Sequence, residues 1–383
     1  MIIDAIIVHH ITLPFSREFS HARRRRKGAK NIVVEIVADG GDIRGYGEGA
    51  PRSYVTGESP ESAARDVERF SKSALFPWEL NNLSSVWQFA DSLPQGRRHK
   101  AATCALEMAI LDALGKSQGL QIIDYFPGEL STETIQYGAA IPVGHEDYVT
   151  EMCVLIKSLG LRHLRIKVGM DAERNRKALE VVCNVLGVED GLRADSNSSW
   201  DAALAFHHLP LFQEYNVTVI EDPLSPGDPG IGAFSEEAEN MGITLMADET
   251  ACTLEDVKRI IHDGLFGMVN VRLSKCGGFR NSLRIIDLLR KNGISFQIGC
   301  QLGESGLLSA AGRALGLLCG DAIYYDGSYD AFLLKENVTD KNVSFGSGGK
   351  AGPLKGPGLG VSVSRKALHH LGDPSKTLHI QRP

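Results

Sequence analysis

After about residue 130 the chain alternates short apolar runs with amphipathic stretches; the runs are TIQYGAAIPV, HLRIKVG, GLRADSN, VTVIEDPL, TLMADET, MVNVRLSK, SFQIGCQ and AIYYDGSY. Strands separated by helices in this way read as βα units, which place their strands in one parallel sheet. The first 130 residues carry a different pattern. MIIDAIIVHHITL alternates like a strand, and IVVEIVADGGDIRGYGEG reads as a hairpin turning at Asp39, Gly40 and Gly41, with Gly45, Gly47 and Gly49 closing its second arm. Ser59 followed by Pro60 predicts a helix start, and KAATCALEMAILDALGKSQG predicts a buried helix that stops at Gly119. The expected organisation is an α+β capping domain over 1–130, a barrel over 131–335, and a Gly- and Lys-rich segment over 336–383 that returns to the capping domain.

The polar residue that ends each run recurs at a near-constant step. Lys167 to Asp195 is 28 residues, Asp195 to Glu221 is 26, Glu221 to Asp248 is 27, Asp248 to Lys275 is 27 and Lys275 to Gln301 is 26. One βα unit per step, each delivering a polar side chain at the C-terminal end of its strand, is the pattern of a (β/α) barrel with its site at that face. An open doubly wound sheet would gather such groups at one switch point instead. Taken singly, each residue is an ordinary loop residue; the regular spacing with matched chemistry predicts one site.

Numbering the runs in order puts Lys167 on the second strand, Asp195 on the third, Glu221 on the fourth, Asp248 on the fifth and Lys275 on the sixth. In a ring of eight the two lysines then face each other across the mouth, with the three carboxylates between them. Hard oxygen ligands without His or Cys suit Mg2+. A substrate carboxylate on such a metal would present its α-carbon between two amines, and loss of the α-proton would build an enediolate that needs positive charge beside it. The metal and Arg165 would both help a lysine act as base. Glu249 is expected to orient Lys275, and Asn197 to hold the metal's water or a ligand carboxylate.

Composition narrows the classes. The 383 residues are 43% hydrophobic, 23% charged and 7% aromatic, an ordinary globular balance, and 41 basic against 47 acidic residues leave a net charge of −6 that disfavours nucleic acid and anionic membrane. The seven cysteines form no C-x-x-C pair, which removes the usual zinc and redox spacings and fits reduced thiols in the cytoplasm. The opening segment carries Asp4 and no cationic leader, so a signal peptide is not expected, and no apolar run reaches the roughly 18 residues needed to span a bilayer. The basic run from His21 to Lys27 reads either as a solvated loop or as part of a capping loop over Phe15–Lys30, in which Arg24 and Arg26 meet an anionic part of the substrate. With it, Tyr54 to Thr56 is expected to cover the mouth. GSGGK ending at Lys350 is not a P-loop, because Ser344 and Ala351 stand where Gly and Ser or Thr are required.

An ordered set of short motifs covers nearly the whole chain: R-I-K-V-G from Arg165, R-A-D-S-N from Arg193, I-E-D-P-L from Ile220, M-A-D-E-T from Met246, S-K-C-G-G from Ser274, G-Y-G-E from Gly45 and Y-V-T-G-E from Tyr54. Together they resemble the enolase superfamily, in its muconate-lactonizing subgroup with the dipeptide epimerases and muconate cycloisomerases. The resemblance implies an α/β fold, a modified (β/α)7β TIM-like barrel under an N-terminal α+β capping domain. It also implies Mg2+ on Asp195, Glu221 and Asp248, and Lys167 and Lys275 as an acid/base pair. The chain departs from the family's pattern in three places. Arg165 precedes Lys167 where the family has K-x-K; the seventh strand ends in Cys300-Gln301-Leu302-Gly303-Glu304-Ser305; and the eighth lacks the D-x-D of dipeptide epimerases, offering Asp326 and Asp330.

The leading expectation is a Mg2+-dependent racemase or epimerase of a small carboxylate, since two opposed lysines serve the two faces of an α-carbon. Dipeptides or N-acylamino acids are favoured because Asp326 and Asp330 could meet an α-ammonium; a structural turn at Asp326-Gly327 is the other reading. Gln301 and Glu304 are further candidate substrate contacts. A cycloisomerase or a syn-dehydratase of the o-succinylbenzoate-synthase type would use the same residues with one base. A non-catalytic carboxylate or metal binder would have no need of two lysines. A small-molecule partner is expected, without nucleic acid or membrane, and a homo-oligomer is left open.

Overall fold

The computed structural model describes residues 1–21, 24–128, 131–225 and 227–383, with side chains outside 18–26. The capping domain opens with an antiparallel meander of β1 (Ile3–His21), β2 (Arg24–Ala38) and β3 (Ile43–Gly49), turning between the last two through Asp39–Gly41. Three helices follow: α1 (Pro60–Ser71), α2 (Leu83–Ser92) and α3 (Lys100–Gln118). Ser59 caps α1 through the backbone N–H of Ser62, and Gly119 ends α3 at φ 68°. The alternate glycines of β3 have a packing reason. A Cβ at Gly45, Gly47 or Gly49 would lie 2.3, 2.1 or 2.4 Å from the carbonyl oxygens of Ala109, Ala105 and Ala101, so the α3 backbone rests directly on the strand. That helix is covered on every side, which is why its sequence shows no apolar stripe.

The expected loop over Phe15–Lys30 is instead the far end of a hairpin. The β1–β2 ladder shifts register between Pro14 and Phe19 and resumes with Phe19 opposite Arg26 and His21 opposite Arg24. Continued pairing gives these backbone groups partners, and no Gly, Pro or Asn marks the tip in the sequence. The side chains of Arg24 and Arg26 lie outside the described residues.

The second domain is a barrel. After a short strand β4 (Ile135–Gln136) come β5 (Ala139–Ile141), α4 (Glu146–Leu159), β6 (Leu164–Lys167), α5 (Ala172–Leu186), β7 (Leu192–Asp195), α6 (Ala202–Glu214), β8 (Val217–Glu221), α7 (Ile231–Asn240), β9 (Thr244–Ala247), α8 (Leu254–Asp263), β10 (Met268–Val271), the short turn α9 (Leu273–Cys276), α10 (Gly278–Lys291), β11 (Ser295–Ile298), α11 (Gly306–Leu318) and β12 (Tyr324–Tyr325). Strands β5 to β12 pair in parallel and in chain order, and a bridge between Tyr137 and Tyr325 closes the ring. The first apolar run is therefore split. Ala139–Ile141 joins the barrel while Ile135–Gln136 pairs with a strand of the C-terminal segment, and at Gly138 between them the chain passes so close to the His163 carbonyl that a Cβ would sit 2.3 Å from it. Beyond α12 (Asp330–Leu333), the short β13 (Lys350–Ala351) pairs with β4; α13 (Arg365–Leu371) and β14 (Leu378–Gln381) follow, and β14 pairs with β1, which carries the tail back to the capping sheet.

Two glutamates of the N-terminal motifs join the parts. Glu48 is fully buried and accepts from the backbone and hydroxyl of Ser305 and from Leu308 N, at the start of α11, and from Asn31 Nδ2. Glu58 does the same for α3, accepting from Ala101 N and Ala102 N. All seven cysteines are unpaired, and among the described residues no helix is long and apolar enough to cross a membrane.

Candidate active site

A strand turns alternate side chains to opposite faces. Outward residues such as Ile166, Ala194, Ile220 and Leu245 join the apolar layer under the helices. Their neighbours point into the barrel: Arg165 and Lys167 on β6, Arg193 and Asp195 on β7, Glu221 on β8, and Asn270 and Arg272 at the end of β10. Below them Val219, Met246 and Met268 pack with Tyr324 as a small apolar floor.

The inward side chains form one ion-pair network. Lys167 Nζ donates to Asp195 Oδ2 (2.7 Å) and Asn197 Oδ1 (2.8 Å). Arg165 bridges Glu221 Oε2 (2.7 Å) and Asp195 Oδ2 (3.4 Å), and Arg272 bridges Glu221 Oε1 (3.2 Å) and Asp248 Oδ2. Asn270 Nδ2 adds a bond to Glu221 Oε1 at 2.9 Å. Deeper, Arg193 pairs with Asp326 (2.9 Å), donates to Gln297 Oε1, and lies over the Tyr324 ring at 4.4 Å. Burial by itself would raise the Glu221 carboxyl, but the Arg165 and Arg272 guanidiniums outweigh it and hold that group well below the usual carboxylate range. Burial likewise works against the charge on Arg165, and the carboxylates of Glu221, Asp326 and Asp195 more than offset it.

Above this network lies a cavity of about 710 Å3, walled by Arg165, Lys167, Asn197, Glu249, Arg272 and Gln301 on its polar side. Its other wall is apolar: Tyr148, Met152, Leu155, Ile156 and Leu159 from α4 face Phe332, Leu333 and Phe345. Tyr54 and Val55 line the cavity as well, Tyr54 at 38% exposure and Val55 buried. Glu304 also lines it, its Oε1 accepting from Gln301 N (2.7 Å); burial pushes this carboxyl up to about 8.

Several sequence expectations are corrected here. Lys275 is not at a strand end and does not line the cavity. It sits in α9 with no exposed surface, donating to the carbonyls of Asp248 (2.6 Å) and Asn270 (2.6 Å) and to Asp248 Oδ1 (3.0 Å). Glu249 is not among its partners. That carboxyl lines the cavity with Oε2 unpartnered, and burial together with the Asp222 charge raises it to about 7. Asn197 holds Lys167. Asp326 lies under the cavity, taken by Arg193 and Arg165, and so does not await an α-ammonium. Asp330 lines the cavity, but its Oδ2 accepts from Asn337 Nδ2 (2.7 Å) and Val343 N (3.0 Å) and holds that loop.

Arg272, Asn270, Arg193 and Gln297 went unread in the sequence, though strand parity carried a signal. Counting in twos from Met268 reaches Asn270 and Arg272; Lys275 lies three residues further, off the strand's inner face. The 27-residue step favoured the lysine because it follows chain length and ignores which way a side chain points.

Asp195, Glu221 and Asp248 are the donors suited to a hard divalent cation: buried carboxylates on consecutive strands, with Asn270 Oδ1 buried and unpartnered beside Glu221. As placed, their oxygens face Arg165, Lys167, Arg272 and Lys275, and among the described residues no three acidic, His or Cys side chains converge as a ligand cluster. The donor chemistry fits Mg2+, and binding it requires the arginines to yield carboxylate oxygens.

Comparison with known proteins agrees with this architecture. Residues 147–367 match the family described as enolase C-terminal domain-like, and residues 2–126 match the mandelate racemase/muconate lactonizing enzyme N-terminal domain. The chain is 25% identical over 316 residues to the L-Ala-D/L-Glu epimerase of Clostridium acetobutylicum, covering 81% of this chain and 86% of that one. It is 27% identical over 320 residues to the N-succinyl-L-Arg/Lys racemase of Bacillus cereus, covering 82% and 83%. A crystal structure of the dipeptide epimerase from Cytophaga hutchinsonii, complexed with Mg and D-Ala-L-Val, superposes with a TM-score of 0.85 at 23% identity over 100% of both chains.

Proposed function

Since the chain belongs to the mandelate racemase/muconate lactonizing enzyme family of the enolase superfamily, we propose that it is a Mg2+-dependent racemase or epimerase that removes the proton α to a substrate carboxylate. The observation that carries this is Lys167 Nζ, standing on the cavity wall beside buried Asp195 and held by Asn197. Lys167, as the free amine, takes the α-proton, and the carbon's electron pair moves into the carboxylate as an enediolate. Asp195, Glu221 and Asp248 would hold the Mg2+, which when bound supplies positive charge for that second negative charge. Tyr54 and Val55 on the cavity wall would help exclude water, and the apolar wall from α4 to Phe345 suits a bulky apolar substituent. Dipeptides and N-acylamino acids combine a carboxylate, an α-proton and such a substituent. The seven unpaired cysteines support a reducing compartment such as the cytoplasm. Incubating the enzyme with Mg2+ and a panel of both classes in D2O, and reading α-deuterium by mass, tests the reading; no incorporation from any member would refute it.

A second reading, a one-base cycloisomerase or syn-dehydratase, is favoured by one observation: Lys167 is the lysine on the cavity wall and Lys275 is beneath it. Loss of water or ring closure in the same panel, seen by mass and ultraviolet absorbance, would distinguish it.

A further inference from the structure

Lys167 ends β6, and Arg272 directly follows β10, four strands further round the ring; Asp195 and Glu221 end the strands β7 and β8 between them, and Asp248 directly follows β9. Both side chains line the cavity. An ammonium has three N–H donors, and Lys275 spends all of its own on two backbone carbonyls and one carboxylate oxygen. Nothing of it is left to meet a substrate. We propose that Arg272 is the group facing Lys167 across the substrate, and that it acts there as a fixed cation, so that the α-proton leaves and returns on Lys167's face.

The inference rests on the proton abstraction common to both readings above and selects the second, one-base reading, since a proton that leaves and returns on one face gives no inversion; a racemase or epimerase needs a base on the other face. When Lys167 takes the proton, the C–H bond breaks, an N–H bond forms, and the electron pair enters the carboxylate; return from the ammonium reverses each change. A guanidinium cannot serve as the opposite base, because it does not give up its proton in a protein. Arg272 also donates to Gln301 Oε1 (3.3 Å) on the cavity wall, a contact that a metal on Glu221 and Asp248 leaves in place.

The test is α-exchange in D2O with Mg2+, for both α-carbon isomers of each dipeptide and N-succinylamino acid in the panel, with configuration read by chiral chromatography. In the wild-type enzyme one isomer exchanges ~100-fold faster than its mirror image, the scale of a positioned base, and Lys167→Ala abolishes that exchange. Arg272→Lys puts a titratable amine on the second face and raises exchange of the slow isomer by at least ~10-fold, while the Mg2+-dependent rise in Tm is retained. Lys275→Met lowers Tm and leaves the ratio of the two rates as it was; if that variant does not fold, Arg272→Lys still decides. Equal exchange of both isomers by the wild type overturns the inference and gives the second face a base, with Glu249 the carboxylate on the cavity wall. So does a Lys275→Met protein of native Tm that loses exchange of one isomer only. If no isomer exchanges at all, the proposed function itself fails, and the inference with it.

Discussion

Asp326 shows how burial redirects a residue. In the sequence it stands at the last strand end, a candidate for an α-ammonium; in the fold it is 2% exposed and is held by Arg193 at 2.9 Å and Arg165 at 3.3 Å. A pair so deep contributes little net stability, but removing one partner strands a charge in low dielectric. Asp326→Asn is therefore expected to cost ~3–5 kcal/mol, read as a lowered urea midpoint. A midpoint within error of wild type would mean that Arg193 is satisfied by Gln297 and the Tyr324 face alone.

At the scale of elements, the contact of β3 with α3 depends on the absence of side chains. Gly47→Ala would place a Cβ 2.1 Å from Ala105 O and 2.5 Å from Ala109 N, both backbone atoms within a helix packed on all sides. Overpacking of this kind costs ~1–3 kcal/mol, so the variant should melt lower; an unchanged Tm would show that α3 can shift. Where α3 meets α10, Glu107 is buried against the Gly278–Arg280 turn, accepting from Arg280 N at 3.2 Å with Oε2 unpartnered. Burial pushes its carboxyl up to about 8. Between an unfolded value of about 4.3 and that value, the folded chain binds more protons than the unfolded one, so this group's contribution to stability falls as pH rises. Glu107→Gln should flatten that decline and raise Tm relative to wild type near pH 8. A parallel decline in both proteins would assign it elsewhere.

For the whole molecule, the capping domain and the barrel are joined at the site's edge. Glu48 on β3 caps α11, and Arg52, just beyond β3, donates to Leu302 O (2.6 Å) in the β11–α11 loop, which lines the cavity. A ligand held in the barrel mouth therefore stabilises both domains together. At free Mg2+ about 100 times its Kd the folded state gains ~2.7 kcal/mol, visible as a rise in Tm. Glu221→Gln should lose that rise; because it also removes the charge between Arg165 and Arg272, the metal-free Tm falls, and the comparison is of the Mg2+-dependent change within each protein. A rise that survives in Glu221→Gln would place the ion on other ligands.

The alternation of apolar runs with helices determined the barrel by itself, because the face that a parallel strand turns to its covering helices must be apolar wherever the strand lies in the chain. The same holds for Asp195, Glu221, Asp248 and Lys167, which end their strands or stand one residue beyond, where the chain turns toward the cavity. Glu48 and Glu58 were legible as members of motifs, but not as helix caps, since each meets a helix N-terminus that only folding brings to it. The extended hairpin past Pro14 left no turn signal to read. The choice between Arg272 and Lys275 was likewise made in three dimensions. Both follow the same strand, and only the inward parity of β10 and the turn of α9 send one side chain to the cavity and the other to backbone carbonyls beneath it. Spacing along a chain fixes how often a side chain arrives at the barrel mouth; the direction it points is set by local backbone geometry and by which partners are within reach.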